Sequence, residues 1–326
     1  MLIDAWDPFI GGAQVHIKAL LQYFPHHIKV HLFHAPHPSI FVRALWCVWV
    51  IPQILFATRL PRAQSRGHTL FALIHAHAFA AGIPAKILSF MLRIPVIYTV
   101  HGSHLMDVHA SGTKAWLEKF LLTRIHYTRQ ISVTRSFLNY PNINKNISVI
   151  NNGVDIRAFD KVKVKKNTKF TLLYVGRDHP TKGLEILRAA FIKAQRHYPR
   201  IQLQVVTGDL TGEQLIKAYK QAHAFVLPSL VEGQPLVLLE AWAAKLPVIA
   251  TKTAGVLELA QHNQNAILVD PGSVSQLHQA IIRLLRLSPR QRTTLALAGY
   301  RQARQFTWAK TASQIISVYE QVSSSH

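Results

Sequence analysis

Cysteine is almost missing from this 326-residue chain; Cys47 is the only one. That excludes an internal disulfide framework and any multi-cysteine zinc site, and it fits a reducing compartment. Acidic residues are scarce: 15 Asp and Glu stand against 37 Lys and Arg, a formal net charge of +22. The excess is not a basic tail, because residues 1–150 carry 14 basic and 4 acidic side chains and residues 151–326 carry 23 and 11. A field of that kind draws in anionic partners: nucleic acid, anionic lipid or phosphorylated substrates. No RNP-like strand, zinc finger or recognition helix accompanies it, so nucleic acid is not an expected partner. The N-terminal Met1-Leu2-Ile3-Asp4-Ala5-Trp6-Asp7-Pro8 has two acids and no basic leader, and is not expected to be a signal peptide. Long hydrophobic runs are missing too. The longest, Ala44–Thr58, is interrupted by Pro52 and Gln53 and falls short of the roughly 20 residues a membrane span needs. Arg43 precedes it and Arg59, Arg62 and Arg66 follow, which suits a segment lying in a bilayer interface beside anionic headgroups. A buried helix followed by a loop accounts for the same residues equally well.

With apolar residues at 49% and charged residues at 16%, the composition is that of a globular protein with two cores' worth of chain. Short apolar runs alternate with longer amphipathic stretches. Strands are expected at Lys29–Phe33, Leu73–His75, Val96–Thr99, Gln130–Val133, Ser148–Ile150, Phe170–Val175, Gln202–Val206, Ala224–Leu227, Pro247–Ala250 and Ala266–Val269. Helices are expected at Gln14–Tyr23, Ala80–Leu92, Ala115–Tyr127, Leu184–His197, Gly212–Ala222, Leu236–Ala244, Val274–Leu287 and, after Phe306-Thr307-Trp308, over the last stretch Arg301–Val322. Fully apolar strands separated by helices indicate parallel sheets covered on both faces, here a pair of doubly wound α/β units. Ligands are then expected at the carboxyl ends of strands. The charged segment Lys161–Thr168, which has no helical apolar face, is the expected linker. Domains are therefore expected at 1–165 and 166–305, with a C-terminal helix over 306–326.

Three clusters fall at such strand ends. Gly11-Gly12 lies between the first short strand and a helix, where two glycines let backbone amides approach a phosphate. No G-x-G-x-x-G follows, which argues against a nicotinamide fingerprint. Gly176-Arg177 and Lys182-Gly183 follow the strand Phe170–Val175, placing two cations where a diphosphate can be gripped. The sharpest cluster is Glu232-Gly233-Gln234-Pro235-Leu236-Val237-Leu238-Leu239-Glu240. Pro235 is placed to start a helix, the amides of Leu236 and Val237 are then suited to phosphate, and the Glu240 carboxylate suits vicinal ribose hydroxyls. His75, His77, His101, His104 and His109 raise the possibility of a metal, but their spacing is irregular and no acidic set completes a site.

These motifs together resemble the retaining family 4 glycosyltransferases of the GT-B fold, which carry an E-x7-E motif. The resemblance runs through Gly11-Gly12, His75-Ala76-His77, Pro95-Val96-Ile97 with His101-Gly102, Ile150-Asn151-Asn152-Gly153-Val154-Asp155, Gly176-Arg177, Lys182-Gly183, Pro228-Ser229, Glu232 to Glu240, Gly255 with Glu258, and Phe306-Thr307-Trp308. It implies two Rossmann-like domains facing across a cleft, the C-terminal helix packing back toward the first, and the second domain holding a nucleotide-diphosphate sugar. By that resemblance Arg177 and Lys182 take the diphosphate beside Gly176, Glu240 takes the ribose, and Glu232, Gly233 and the Leu236 and Val237 amides engage sugar and phosphate. Gly11 and Gly12 approach the diphosphate from the first domain, and His101 sits near the donor sugar. The catalytic set is then His101, Glu232, Arg177 and Lys182, with no metal and no cofactor beyond the donor.

The expected activity is hexosyl transfer (EC 2.4) with retained anomeric configuration. The expected acceptor is a cell-surface polysaccharide or lipid-linked glycan, as in lipopolysaccharide or exopolysaccharide biosynthesis, worked on by a cytoplasmic protein peripheral to the inner face of the membrane. The alternatives are a non-catalytic relative that binds nucleotide sugar or anionic glycan, and a sugar-nucleotide epimerase of the same architecture. Two departures from the family pattern stand out. Only Leu2-Ile3 and a neighbour or two form the first strand, and between Asp209 and Ala224 there is room for one helix where the family carries an additional strand and helix.

Overall fold

The computed structural model describes all residues except 4–5, 7–10, 38, 59–70, 79, 103–111, 141–142, 144 and 325–326. Asp4, the flanking Arg59, Arg62 and Arg66, and the histidines His104 and His109 therefore lie outside the described residues. The chain divides into two compact units, one of 1–151 with 309–326 and one of 152–308.

The first unit is a six-stranded, all-parallel sheet in the order β2-β1-β3-β4-β5-β6. Its elements in chain order are β1 (Leu2–Ile3), α1 (Gly12–Tyr23), β2 (Phe33–His34), α2 (Ile40–Thr58), β3 (Ile74–His77), α3 (Gly82–Leu92), β4 (Val96–Val100), α4 (Thr113–Arg124), β5 (Arg129–Ser132) and β6 (Ile147–Val149). Successive residues of β4 serve opposite faces, as the strand period requires: Val96, Tyr98 and Val100 join one core and Ile97 the other. The first core takes Trp46, Val50 and Ile54 from α2 with Ala85 and Leu88 from α3. The second takes Leu20 from α1 together with Ala312, Ile315, Val318, Tyr319 and Val322. Those last five come from α12 (Trp308–Ser324), so the C-terminal helix belongs to the first unit's core, as expected.

Helix α2 departs from the expected break at Pro52, because the helix runs through it. The cost of a proline in a helix interior, about 3 kcal/mol, is offset by the anchored stripe Trp46, Val50 and Ile54, each worth about 1.5–3 kcal/mol on burial. Nor is the helix buried all round. Phe41, Leu45, Val48, Trp49 and Phe56 are 62–79% exposed. Its residues 41–58 are long and apolar enough to cross a membrane by length and composition, with 17% of that window buried.

The second unit is a five-stranded parallel sheet in the order β11-β10-β9-β7-β8. Its elements are α5 (Ile156–Lys161), β7 (Phe170–Val175), α6 (Leu184–His197), β8 (Ile201–Val206), α7 (Gly212–Gln221), β9 (Ala224–Leu227), α8 (Leu236–Ala243), β10 (Val248–Thr251), α9 (Ala254–Leu257), β11 (Ile267–Val269), α10 (Val274–Arg286) and α11 (Pro289–Ala303). One helix, α7, fills the connection from β8 to β9, as the length of 209–224 requires. The division of the chain falls at 151/152, ahead of the expected linker at Lys161–Thr168. Phe159 on α5 explains this: it enters the core with Tyr219, Leu238 and Trp242, which ties α5 to the second unit. Asp155 starts that helix by accepting from the Ala158 amide at 3.0 Å.

Both sheets share one topology. Each begins with a strand whose sequence neighbour lies on one side and whose third strand lies on the other. The strand order reverses between β1 and β3 in one sheet and between β7 and β9 in the other, and in open α/β sheets ligands bind at the carboxyl ends flanking such a reversal.

Candidate active site

The expected site residues divide between the two reversal points, and each group is described within its own unit. In the second unit, Gly176, Arg177 and Lys182 follow β7, and Glu232, Gly233, Leu236, Val237 and Glu240 follow β9. The connections there are interlocked. The Leu230 amide donates to the Thr181 carbonyl at 2.8 Å. Gly183 sits at φ +66°, and a Cβ there would lie 2.1 Å from the Pro228 carbonyl oxygen, so the close approach and the left-handed backbone both demand glycine. Gly255 is more tightly constrained: a Cβ would lie 1.2 Å from the Gly233 carbonyl oxygen. The Thr251 hydroxyl donates to the Ser229 carbonyl at 2.5 Å. Three loops, after β7, β9 and β10, are thus held as one piece.

Within that piece Lys182 Nζ lies 2.7 Å from Glu232 Oε1, and the Ser229 hydroxyl donates to the same oxygen at 2.7 Å. Glu232 is buried, so its charge needs these partners. Arg177 is exposed at the end of β7, and its carbonyl accepts from the Tyr174 hydroxyl at 3.1 Å. Burial, with the Glu232 and Asp178 charges nearby, pushes the Tyr174 phenol up to about 12, so it stays a donor. Pro235 caps α8 and leaves Leu236 and Val237 as its first two residues, whose amides have no acceptor within the helix. Glu240, one turn on, accepts from the buried Tyr219 hydroxyl at 2.8 Å. Burial raises the Glu240 carboxyl above the usual range, and the tyrosine bond partly offsets that rise.

Two motifs of the resemblance turn out to be supports. The Asn152 amide donates to Gln234 Oε1, and Gln234 Nε2 donates back to the Asn152 carbonyl at 3.5 Å, which fixes the loop between Glu232 and α8. Gly153 packs against the backbone of Thr307 and Trp308, where a Cβ would come within 2.2 Å of the Trp308 nitrogen. The sequence motifs include Asn152, Gln234 and Ser229 but do not give their partners, which lie 3 to 82 residues away.

In the first unit, Gly11 precedes α1 and Gly12 begins it, His77 ends β3 and His101 follows β4. His77 Nδ1 lies 3.1 Å from His101 Nε2, and burial holds both rings well below the usual histidine range, hence neutral. His75 is a structural residue: its two nitrogens lie 2.6 Å from the Tyr319 hydroxyl and 2.7 Å from the Thr99 hydroxyl. His16, four residues into α1, joins His77 and His101 and was not expected there. Its sequence distance of about 60 residues from His77 hid the contact, although its place in the first turns of a helix that begins at a strand's carboxyl edge is the signal that points to it.

Residues 154–287 match the model of the family described as Glycosyl transferases group 1. The chain carries a glycosyl transferases group 1 domain. It is 28% identical over 272 residues to an uncharacterized glycosyltransferase of Methanocaldococcus jannaschii, covering 77% of this chain and 76% of that one. Among solved structures it is similar in fold to Anabaena HepE in complex with UDP and glucose (TM-score 0.73, 19% identity, 98% and 99% of the two chains). Sucrose-phosphate synthase of Thermosynechococcus elongatus gives TM-score 0.75 at 19% identity over 100% and 99%. The fold is GT-B, and the chain is an enzyme of the glycosyltransferase class (EC 2.4).

Proposed function

We propose that the glycosyl transferases group 1 domain holds a nucleotide-diphosphate sugar and that the enzyme transfers the sugar with retention of configuration to a polysaccharide or lipid-linked glycan. The observation that carries the reading is the interlocked loop set after β7 and β9, with Arg177, Lys182 and the first-turn amides of α8 at the strand-order reversal. Breaking a sugar–phosphate bond builds negative charge on the departing diphosphate. Fixed cations and helix-end amides stabilise charge where it develops, and no metal is required for that step. Glu232, held by Lys182 and Ser229, engages the donor sugar, and Glu240, steadied by Tyr219, accepts from the ribose hydroxyls. Gly176 and Gly233 leave space for the donor, Gly11 and Gly12 turn their amides to phosphate, and neutral His101 exchanges hydrogen bonds with the sugar. Solved complexes of HepE with UDP and with UDP-glucose support a nucleotide-sugar donor, and the M. jannaschii relative supports transfer.

The exposed apolar stripe of α2 supports a lipid-associated acceptor. Ile87, Phe90 and Met91 of the neighbouring α3 extend it, and Lys86 and Arg93 beside them are exposed cations. We read this as an interfacial surface that seats the enzyme on the inner, anionic face of the cytoplasmic membrane. A thermal-shift screen of nucleotide sugars tests the donor reading: a true ligand at a hundredfold excess over Kd stabilises by about 2.7 kcal/mol. Transfer or donor hydrolysis by the best ligand then separates an enzyme from a binding-only relative. A donor that is rearranged without any acceptor would favour an epimerase.

A further inference from the structure

The histidine cluster of the first unit is not used up by donor binding. One ring nitrogen from each of His16, His77 and His101 lies within 4.8 Å of one from each of the others. The ring centroids are 5.6 Å apart for His16 and His77, 4.7 Å for His16 and His101, and 5.4 Å for His77 and His101. Three imidazoles on a tetrahedral ion with metal–nitrogen bonds of about 2.1 Å have centroids about 5 Å apart and ligand nitrogens about 3.4 Å apart. The ring centroids are therefore already spaced as such a set, and the nitrogens, within 4.8 Å of one another, need to draw together by up to about 1.4 Å.

The hydrogen bonding points the same way. His77 Nδ1 and His101 Nε2 face each other at 3.1 Å, while His77 Nε2 and His101 Nδ1 are buried with no hydrogen-bond partner among the described residues. A neutral imidazole has one N–H and one lone pair. Whichever ring donates in the pair, one buried lone pair and one buried N–H remain unmatched. That mismatch is costly in a structural cluster; a cation at the facing nitrogens would take one lone pair from each ring and leave both outer nitrogens as N–H donors. His75 does not compete, since both its nitrogens are engaged. The donor set is three imidazoles with no carboxylate, which disfavours magnesium and calcium and suits zinc or a similar borderline-soft ion.

We propose that His16, His77 and His101 bind one divalent ion of the zinc class, and that binding withdraws His101 from the donor sugar and reversibly inhibits transfer. The inhibitory half rests on the proposed role of His101; the binding half does not. Three protein ligands leave a fourth position open to water. A net charge of +22 opposes a further dication, so affinity is expected to fall well short of that of structural zinc sites.

The test uses the full chain, stripped of metal and titrated with Co2+, followed by visible absorption and then by displacement with Zn2+. One equivalent of Co2+ should give four-coordinate ligand-field bands that Zn2+ abolishes. His77→Gln and His16→Gln, each checked by circular dichroism for a native fold, should lose the bands and weaken Zn2+ binding at least tenfold against a chromophoric chelator. Absence of the bands from the wild type, or their persistence in both variants, overturns the site. In the transfer assay Zn2+ should inhibit and EDTA restore the rate; a rate unchanged at full Zn2+ occupancy overturns the inhibitory role. If the bands form but the metal-free protein turns over no nucleotide sugar, the transferase reading fails while the metal site stands.

Discussion

Lys182 and Glu232 show why charge pairs at the site have to be judged by what surrounds them. The lysine side chain is 22% exposed and the glutamate 10%, and Ser229 shares the glutamate oxygen. On the proposed reading Lys182 leaves its carboxylate partner for the diphosphate, with the serine still bonded to Glu232. Lys182→Met should lower kcat/KM by about 10²–10³, the usual effect of removing one stabiliser of developing charge, while the fold survives. The steady-state rate against donor concentration checks it. At Gly255 the limitation is space. Gly255→Ala puts a methyl 1.2 Å from a carbonyl oxygen and should cost about 3 kcal/mol or more, seen as a fall in urea midpoint, whereas Gly102→Ala, with nothing within 4 Å among the described residues, should stay within about 0.5 kcal/mol.

The buried histidines give a pH dependence of definite sign. His75, His77 and His101 all have folded-state values well below the ordinary 6.5, chiefly through burial. The unfolded chain therefore binds more protons than the native one below about pH 6.5, and stability falls as pH drops. The stabilisation is fully present above the unfolded value and is lost as pH falls toward the folded ones. Three such groups give a slope of up to about 4 kcal/mol per pH unit below pH 6. Denaturant melts between pH 7.5 and 5 measure it, and a flat profile would contradict the buried neutral cluster.

At the scale of elements, most strands were legible because parallel strands buried on both faces are written as short apolar runs; the exception is the strand expected at Lys29–Phe33, which is instead the short edge strand β2 at Phe33–His34, not buried on both faces. Phe170–Val175 and Ala224–Leu227 match their strands end to end. Helix α2 was harder to read. Its sequence is apolar all round, so periodicity could not separate the buried stripe at Trp46, Val50 and Ile54 from the exposed one, and Pro52 suggested a break that the anchored stripe overrides. The division at 151/152 falls ahead of the expected linker because Phe159, with Ile156 beside it, packs α5 onto the second unit's core, which only packing reveals. Asn152, Gln234 and Ser229 lie in motifs of the resemblance, but their pairing, Asn152 with Gln234 and Ser229 with Glu232, was not legible because nothing in the sequence gives the contacts. If α2 is an interfacial element, Trp49→Ser with Phe56→Ser should cut co-sedimentation with anionic vesicles at least tenfold and leave the thermal midpoint nearly unchanged, since both residues are exposed. Unaltered sedimentation would remove α2 from the membrane account.

For the whole molecule, both sheets have the same reversed strand order, and the loops after β7 and β9 leave the carboxyl ends of strands beside one reversal. The net charge of +22 acts on top of this, favouring diphosphates, anionic lipid and other polyanions alike, and its effect should be screened by salt. Vesicle binding that persists above about 0.5 M salt would have to be carried by apolar contact alone. The central claim is narrower: the loops after β7 and β9 grip a nucleotide diphosphate. Calorimetric titration of nucleoside diphosphates into the full chain tests it most directly, beside the double variant Arg177→Ala with Lys182→Met. The account predicts one base to bind the wild type and to lose at least a hundredfold in affinity in the double variant. Equal affinity for both proteins, or no binding of any nucleoside diphosphate to the wild type, would contradict it.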